Sequence, residues 1–380
     1  MDIHSRLPDI GTSIFTIMSK MALDHGAINL SQGFPDFAVD DQIISLVNKF
    51  MTAGHNQYAP MAGVPALREI ISNVIKKSYQ HPVDVENEIT ITSGATEGIF
   101  AAISAFIHPG DEVILFDPSY DSYDPAIRLN GGIPVPINLL FPGFTIDWEH
   151  VEARVTPRTK MILINTPHNP SGSILKKDDL IELEKLVLKH NLIVLSDEVY
   201  DRLTYDDHVH HSVLTLPGLA SQSLAVFSFG KTFHATGWKV GYVIAPEYLT
   251  KQLRKTHQFI VFSVNTAIQM ALAEYMKTPA HYLDLAKFYQ HKRDFFVQQI
   301  KGSTFEPLPC FGSYFQLLSY QHISRKSDVG MAEELTRQFK VASIPVSVFY
   351  KDGTDNRLLR FCFAKKDETL SQAAEILRKL

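Results

Sequence analysis

Lys231 stands in the run Ser228-Phe229-Gly230-Lys231-Thr232, directly after the apolar stretch that begins at Ser223. Two chemistries suit such a lysine. A nucleotide-binding phosphate loop ends in Gly-Lys-Thr but needs a glycine five residues before Gly230, and that position is Ala225. The acidic pair Asp197-Glu198 also precedes the lysine, the reverse of the order such loops use. The alternative is a Schiff-base nucleophile placed at a strand end, with Ser228 available to a phosphate. Alone, a lysine is usually a solvated charge; its company argues otherwise. Asp197 closes the apolar run Leu192 to Ser196, and a carboxylate there is costly to bury unless it meets a cation. A protonated ring nitrogen would be such a partner. Tyr200, three residues further on, could hydrogen-bond the same group from another edge.

Two further segments can carry a ligand. Asn165-Thr166-Pro167-His168-Asn169-Pro170-Ser171-Gly172 follows the apolar run Lys160 to Asn165, so a stiff loop leaves the carboxyl end of a strand, where open α/β sheets bind ligands. Thr92-Ser93-Gly94-Ala95-Thr96 leads from a strand into a helix whose first amides are free to hold a phosphate. Each alone is also an ordinary turn.

These segments need a scaffold, and the patterning supplies one. Strands are expected at Glu88 to Thr92, Glu112 to Phe116, Lys160 to Asn165, Leu192 to Ser196, Ser223 to Phe229 and Val240 to Ala245. Helices are expected from about Ala95 to Ile107 and from Asp178 to His190, the latter opening on acidic residues and closing at Asn191. Strands apolar on both faces imply an α/β fold with a mostly parallel sheet between helices. From about Thr250 the pattern changes to long helices, first Leu253 to Met276, then a strand near Ser313 to Leu318. The chain ends with a strand from Leu358 to Phe363 and a helix from Glu368 to Leu380. This predicts a large domain over residues 41–275 and a smaller α+β domain over 276–380, with segment 1–40 associated with the smaller one.

The composition excludes several classes. The 380 residues carry a net charge of −5, which disfavours a nucleic-acid partner. Cys310 and Cys362 are the only cysteines, too few for a disulfide framework or a four-thiolate zinc site, and no metal is expected. No apolar run reaches the roughly 18 residues of a membrane helix. The opening MDIHSRLPDIG lacks the basic-then-apolar pattern of a signal peptide, so a cytoplasmic location is expected.

Taken together, the motifs resemble the class I, fold type I aminotransferases that use pyridoxal 5'-phosphate. The resemblance runs from Asn29-Leu30-Ser31-Gln32-Gly33-Phe34-Pro35-Asp36-Phe37 through Asn56-Gln57-Tyr58 to Leu359-Arg360-Phe361-Cys362-Phe363. The GFPDF and GKTF…TGWKVG runs are similar to the branch holding kynurenine, glutamine-phenylpyruvate and bacterial methionine aminotransferases. By that resemblance Lys231 carries the cofactor as an imine and Asp197 pairs with its pyridine nitrogen. Asn169 and Tyr200 hydrogen-bond its phenolic oxygen, and Tyr120 stacks on its ring. Its phosphate falls to Gly94, Ala95, Thr96, Ser228 and Lys239, a position where many class I members carry arginine. Tyr58 reaches the phosphate of a neighbouring subunit, implying a homodimer with shared active sites. Arg360 clamps the substrate carboxylate, assisted by the backbone near Gly33.

That assignment implies a mechanism. Removing the α-proton of an amino acid needs an electron sink, and the pyridine ring serves only while its nitrogen is protonated, which a buried aspartate ensures. Lys231, once displaced by the substrate amine, is free to move the proton, and Arg360 fixes which bond is broken. Phe15, Phe34, Phe37, Tyr58, Phe259 and Phe262 lie in segments that border the pocket in relatives, which implies methionine or an aromatic amino acid as donor and a 2-oxo acid as acceptor. A kynurenine- or glutamine-type transaminase, or a carbon–sulfur β-lyase on the same cofactor, stays open as the alternative.

Overall fold

The computed structural model describes residues 4–380. Residues 1–3, the start of the segment expected to join the smaller domain, lie outside the described residues. Seven strands form the central sheet: β1 (Ile89–Thr92), β2 (Glu112–Asp117), β3 (Ile133–Asn138), β4 (Thr159–Asn165), β5 (Ile193–Asp197), β6 (Ser223–Ser228) and β7 (Gly241–Ile244). Their order across the sheet is β1-β7-β6-β5-β4-β2-β3. Six strands point one way and β7 runs against both neighbours.

Alternation along the strands builds two cores. Val113, Leu115, Leu163, Leu195 and Val226 face one way, toward Ile99, Ile103 and Leu253 of the helices Gly94–Phe106 and Glu247–Ile260. Ile114, Phe116, Ile162, Val194 and Phe227 face the other, toward Leu180 and Leu183 of the helix Lys177–His190. Each such side chain contributes about 1.5–3 kcal/mol by leaving water. Helix Lys177–His190 forms as its ends predict: Asp179 accepts from the Lys176 amide at 2.8 Å and Asn191 closes it in the left-handed conformation.

The helix expected over Leu253 to Met276 is two helices, Glu247–Ile260 and Thr266–Tyr275. Phe262, at φ +66°, turns the chain between them, and the Asn265 side chain caps the second by accepting from the Ile268 amide at 3.0 Å. Strand β3 was not expected from its sequence, Ile-Pro-Val-Pro-Ile-Asn. It survives two prolines because it is an edge: Ile133 and Leu139 donate to Asp111 and Asp117 while Pro134 and Pro136, in the alternate phase, turn their missing N–H outward.

A second sheet is antiparallel, made by β8 (Glu306–Pro307), β9 (Phe315–Ser319), β10 (Ile344–Pro345) and β11 (Leu358–Cys362) in the order β10-β11-β9-β8. The N-terminal segment joins it: Ile28–Asn29 pairs in parallel with Val341–Ala342, and the Cys362 amide donates to Leu30 at 2.8 Å. Arg360 of β11 and the loop after Leu30 are thereby brought to the carboxyl ends of the central strands.

Candidate active site

The carboxyl ends of β1, β4, β5 and β6 open into a cavity of about 290 Å³. Asp197, the last residue of β5, is its only carboxylate among the described residues. Its Oδ2 accepts from the Tyr123 hydroxyl at 2.5 Å and its Oδ1 from the Val199 amide at 3.3 Å. Even with both donors, burial pushes the carboxyl up to about 6. Tyr200 reaches the cavity through a turn rather than a helix, with Asp201 N donating to Glu198 O. Burial pushes its phenol far above the usual range.

Lys231 sits in the short helix Phe229–Thr232 after β6. Its Nζ donates to the Tyr314 hydroxyl at 2.9 Å and to the Gly33 carbonyl at 3.4 Å, and burial pulls the amine down to about 8. That is the shift a nucleophilic lysine needs, since only the neutral amine has a lone pair to offer.

On the opposite wall the Arg360 guanidinium is 1% exposed. One terminal nitrogen donates to Asn169 Oδ1 at 2.8 Å and the other to Ser31 O at 3.0 Å. Nε is buried without a partner. Two of its five N–H groups are therefore committed, leaving donors for a carboxylate. The guanidinium carbon lies 3.9 Å from the Phe315 ring centroid, 5.1 Å from Phe15 and 5.6 Å from Phe349. Asn169 is set by Asn165, whose Oδ1 accepts from the Asn169 amide at 2.8 Å while its Nδ2 donates to Asp197 O at 2.9 Å. One side chain thus ties the β4 loop to the end of β5.

The phosphate-type corner is built from backbone. Gly94 opens its helix at φ +72°, a conformation glycine adopts freely, and a methyl group there would meet the Lys239 side chain at 3.4 Å. Ala95, Thr96, Ser228 and Lys239 line the same end of the cavity, and Tyr120 lines it with its phenol pushed up to about 12 by burial.

Lys231, Asp197, Tyr200, Gly94, Ala95, Thr96, Tyr120, Asn169, Ser228, Lys239, Gly33, Arg360 and Phe15 therefore share one cavity. The remaining expected residues do not line it. Phe34 is half-exposed beneath the Lys365 ammonium, and Phe37 packs edge-on against His234 and Phe288. Phe259 is exposed. Tyr58 and Phe262 meet edge-to-face at 5.3 Å on the surface, where Tyr58 is 82% exposed. Sequence reasoning missed Tyr123, Tyr314 and Phe315. Tyr123 repeats Tyr120 at a spacing of three, but nothing local marks its partner; Tyr314 sits in an ordinary Gly-Ser-Tyr-Phe run.

The residues present fit pyridoxal phosphate. A buried carboxylate left with a raised proton affinity suits a ring-nitrogen cation, and helix amides with Ser228 and Lys239 suit a phosphate. A buried lysine of lowered proton affinity and a guanidinium with free donors share one cavity at the carboxyl ends of a mostly parallel sheet, an arrangement suited to an amino-group-handling α/β enzyme. The chain belongs to the class I and II aminotransferases: the profile described as "Aminotransferase class I and II" matches residues 25–377. It is 48% identical over 378 residues to the methionine aminotransferase of Escherichia coli (strain K12), covering 99% of this chain and 98% of that one. It is 34% identical over 404 residues to kynurenine–oxoglutarate transaminase 3 of Mus musculus, covering 98% and 89%. Among solved structures, YbdL from Escherichia coli, described as having a methionine aminotransferase function, superposes with a TM-score of 0.98 at 47% identity over 100% of both chains. N-Succinyldiaminopimelate aminotransferase from Mycobacterium tuberculosis superposes with a TM-score of 0.95 at 32% identity, again over 100% of both chains.

Proposed function

We propose that the chain uses pyridoxal phosphate to move the amino group of methionine or an aromatic amino acid to a 2-oxo acid, acting as a cytoplasmic homodimer. The observation that carries the donor preference is the setting of Arg360: the guanidinium faces the cavity among the rings of Phe15, Phe315 and Phe349. One carboxylate can be clamped there, and the surrounding wall rewards an apolar or aromatic side chain over a second carboxylate. The similarity to a methionine aminotransferase supports the same donor.

Bound in this cavity, the cofactor supplies an electron sink for the charge left when the α-proton departs. Asp197 holds a proton at the ring nitrogen. Asn169 and Tyr200 bind the phenolic oxygen. Ala95, Thr96, Ser228 and Lys239 hold the phosphate, with Gly94 giving the turn its shape. Lys231 Nζ would hold the cofactor and, as a free amine, would take up and return a proton at the substrate's α-carbon. Arg360 and Gly33 would orient the substrate, Tyr120 would stack on the cofactor ring, and Phe15 would close the substrate's apolar side. The segment 1–40 and residues 276–380 are proposed to form the smaller domain and 41–275 the larger, a division supported by the pairing of Ile28–Asn29 with Val341–Ala342. Among the described residues no helix is long and apolar enough to cross a membrane.

A panel of amino acids against several 2-oxo acids on purified protein tests this. Methionine and phenylalanine should exceed aspartate and glutamate in kcat/KM by at least about tenfold, or roughly 1.4 kcal/mol. A preference for the dicarboxylic donors would overturn the donor assignment. Borohydride should fix the cofactor on the peptide containing Lys231, and label on another lysine would overturn that role.

A further inference from the structure

Tyr314 is fully buried at the foot of β9, and its hydroxyl stands between two functional groups. It donates to the Gly33 carbonyl at 2.5 Å and receives Lys231 Nζ at 2.9 Å. The direction is fixed by chemistry. A carbonyl has no proton to give, so the phenol's only proton is committed to Gly33 and the oxygen can only accept from the lysine. The ring has little freedom to leave. It packs edge-on against Tyr200 at 5.1 Å and against Phe315 at 4.9 Å, and the Tyr314 carbonyl accepts from the Phe363 amide at 3.0 Å.

We infer that Tyr314 is a positioning residue for Lys231: its phenol oxygen is the resting site of the amine whenever Nζ carries no covalent partner. Acceptors at two N–H groups, the Tyr314 oxygen and the Gly33 carbonyl, fix the rotation of the amine and with it the direction of the neutral form's lone pair. Holding a base in one orientation converts a search into a preset geometry. The Tyr314–Gly33 bond also ties the lysine to the loop proposed to help bind the substrate carboxylate, so loop and amine are set together. The inference rests on the reading of Lys231 as the cofactor-bearing lysine.

The other ionisable groups around Nζ are Asp197 and Tyr200 of the large domain, Lys239, and Arg360 and Cys362 of β11. The Tyr314 hydroxyl also acts on Tyr200 and Arg360, so its effect is read at Lys231 itself rather than from activity alone. A neutral acceptor stabilises the ammonium more than the neutral amine. Tyr314→Phe should therefore lower the proton affinity of Lys231 below its already depressed value.

The test is competitive acetylation of the cofactor-free protein across pH, with the Lys231 peptide read by mass spectrometry. In Tyr314→Phe the labelling midpoint should move down by at least about half a pH unit, a threefold loss of proton affinity. The same variant loaded with cofactor should lose kcat, by about tenfold, with little change in KM. A midpoint within 0.2 unit (about 1.6-fold) of wild type in a folded variant overturns the inference. Should Tyr314→Phe not fold, 4-fluorophenylalanine at position 314 keeps the shape while removing the oxygen acceptor without adding an ionisable group, and must move the midpoint the same way. Borohydride labelling of wild type separates the two readings. Lys231 unlabelled defeats the function it rests on; Lys231 labelled with an unmoved midpoint defeats this inference alone.

Discussion

The Tyr123 hydroxyl donates to Asp197 Oδ2 at 2.5 Å across 74 residues of sequence, and among the described residues no cationic side chain hydrogen-bonds to that carboxylate. Under the proposed function that carboxylate is placed to meet the ring-nitrogen cation of a bound cofactor. In the cofactor-free protein that placement is a cost, because burial holds the carboxyl at about 6 against an ordinary 3.8.

The sign of the pH dependence follows. Between pH 4 and 6 the folded protein binds the Asp197 proton and the unfolded chain does not, so stability falls as pH rises through this window. Asp197→Asn removes the titration. At pH 7.5 the cofactor-free variant should be more stable than wild type by about 3 kcal/mol, the difference shrinking toward zero near pH 4. Urea unfolding at pH 4.5 and 7.5 reads it directly. Equal differences at the two pH values would show that the carboxylate is not strained as described. Tyr123→Phe should widen the gap, since its donor favours the charged form.

Arg360→Lys tests the clamp. A lysine offers a point charge where the guanidinium offers a planar fork, and its shorter ammonium cannot hold Asn169 Oδ1, Ser31 O and a substrate carboxylate together. Expected is a loss of about 100-fold in kcat/KM for methionine, or roughly 2.7 kcal/mol. The matching amine without a carboxylate should lose little. If both substrates fall equally, the arginine supports the fold rather than the substrate.

Gly241→Ala tests the phosphate corner from behind. A Cβ at this position would lie 2.5 Å from Phe227 O and 2.9 Å from Ala95 N, both backbone atoms that cannot rotate away. The Ala95 amide would be pushed out of place, raising the cofactor Kd by at least about tenfold, or roughly 1.4 kcal/mol. Gly237→Ala is the control, since no atom lies within 4 Å of its Cβ position. Equilibrium dialysis that gives both variants wild-type affinity would defeat the assignment.

Much of this was legible in the sequence. Strands β2, β4, β5 and β6 announce themselves because both faces are buried and local apolar runs say so. The same uniform burial hides direction: β7 reads like its neighbours yet runs against them, because a strand buried between two partners carries no mark of its polarity. Pro134 and Pro136 disguised β3, whose edge position is a tertiary fact. Lys231 and Asp197 were legible as site candidates because chemistry limits which residue types can serve, and they line one cavity. Tyr123 and Tyr314 were not, since a tyrosine supports a site only through what it meets, and here the partners lie 74 and 83 residues away. Tyr58 was expected at the phosphate of a neighbouring subunit, and within its own chain it stands on the surface, as a residue reaching across an interface must.

That exposure makes the strongest test of a shared site. Tyr58 and Phe262 form an edge-to-face pair outside the cavity, beside the exposed rings and side chains of Phe259 and Ile260. In a two-fold dimer every crossing occurs twice, so a Tyr58 that serves the partner's phosphate is matched by the partner's own. Tyr58→Ala and Lys231→Ala should each be nearly inactive alone. Mixed by co-refolding, a hybrid dimer has one pocket carrying both defects and one pocket wholly intact. With random pairing, half the dimers are hybrids and half their pockets work, so activity should recover to about a quarter of wild type. If Tyr58 served its own chain, each pocket of a hybrid would keep one defect and the mixture would stay inactive. Light scattering at the assay concentration completes the test: a monomer with full activity would defeat the shared site outright.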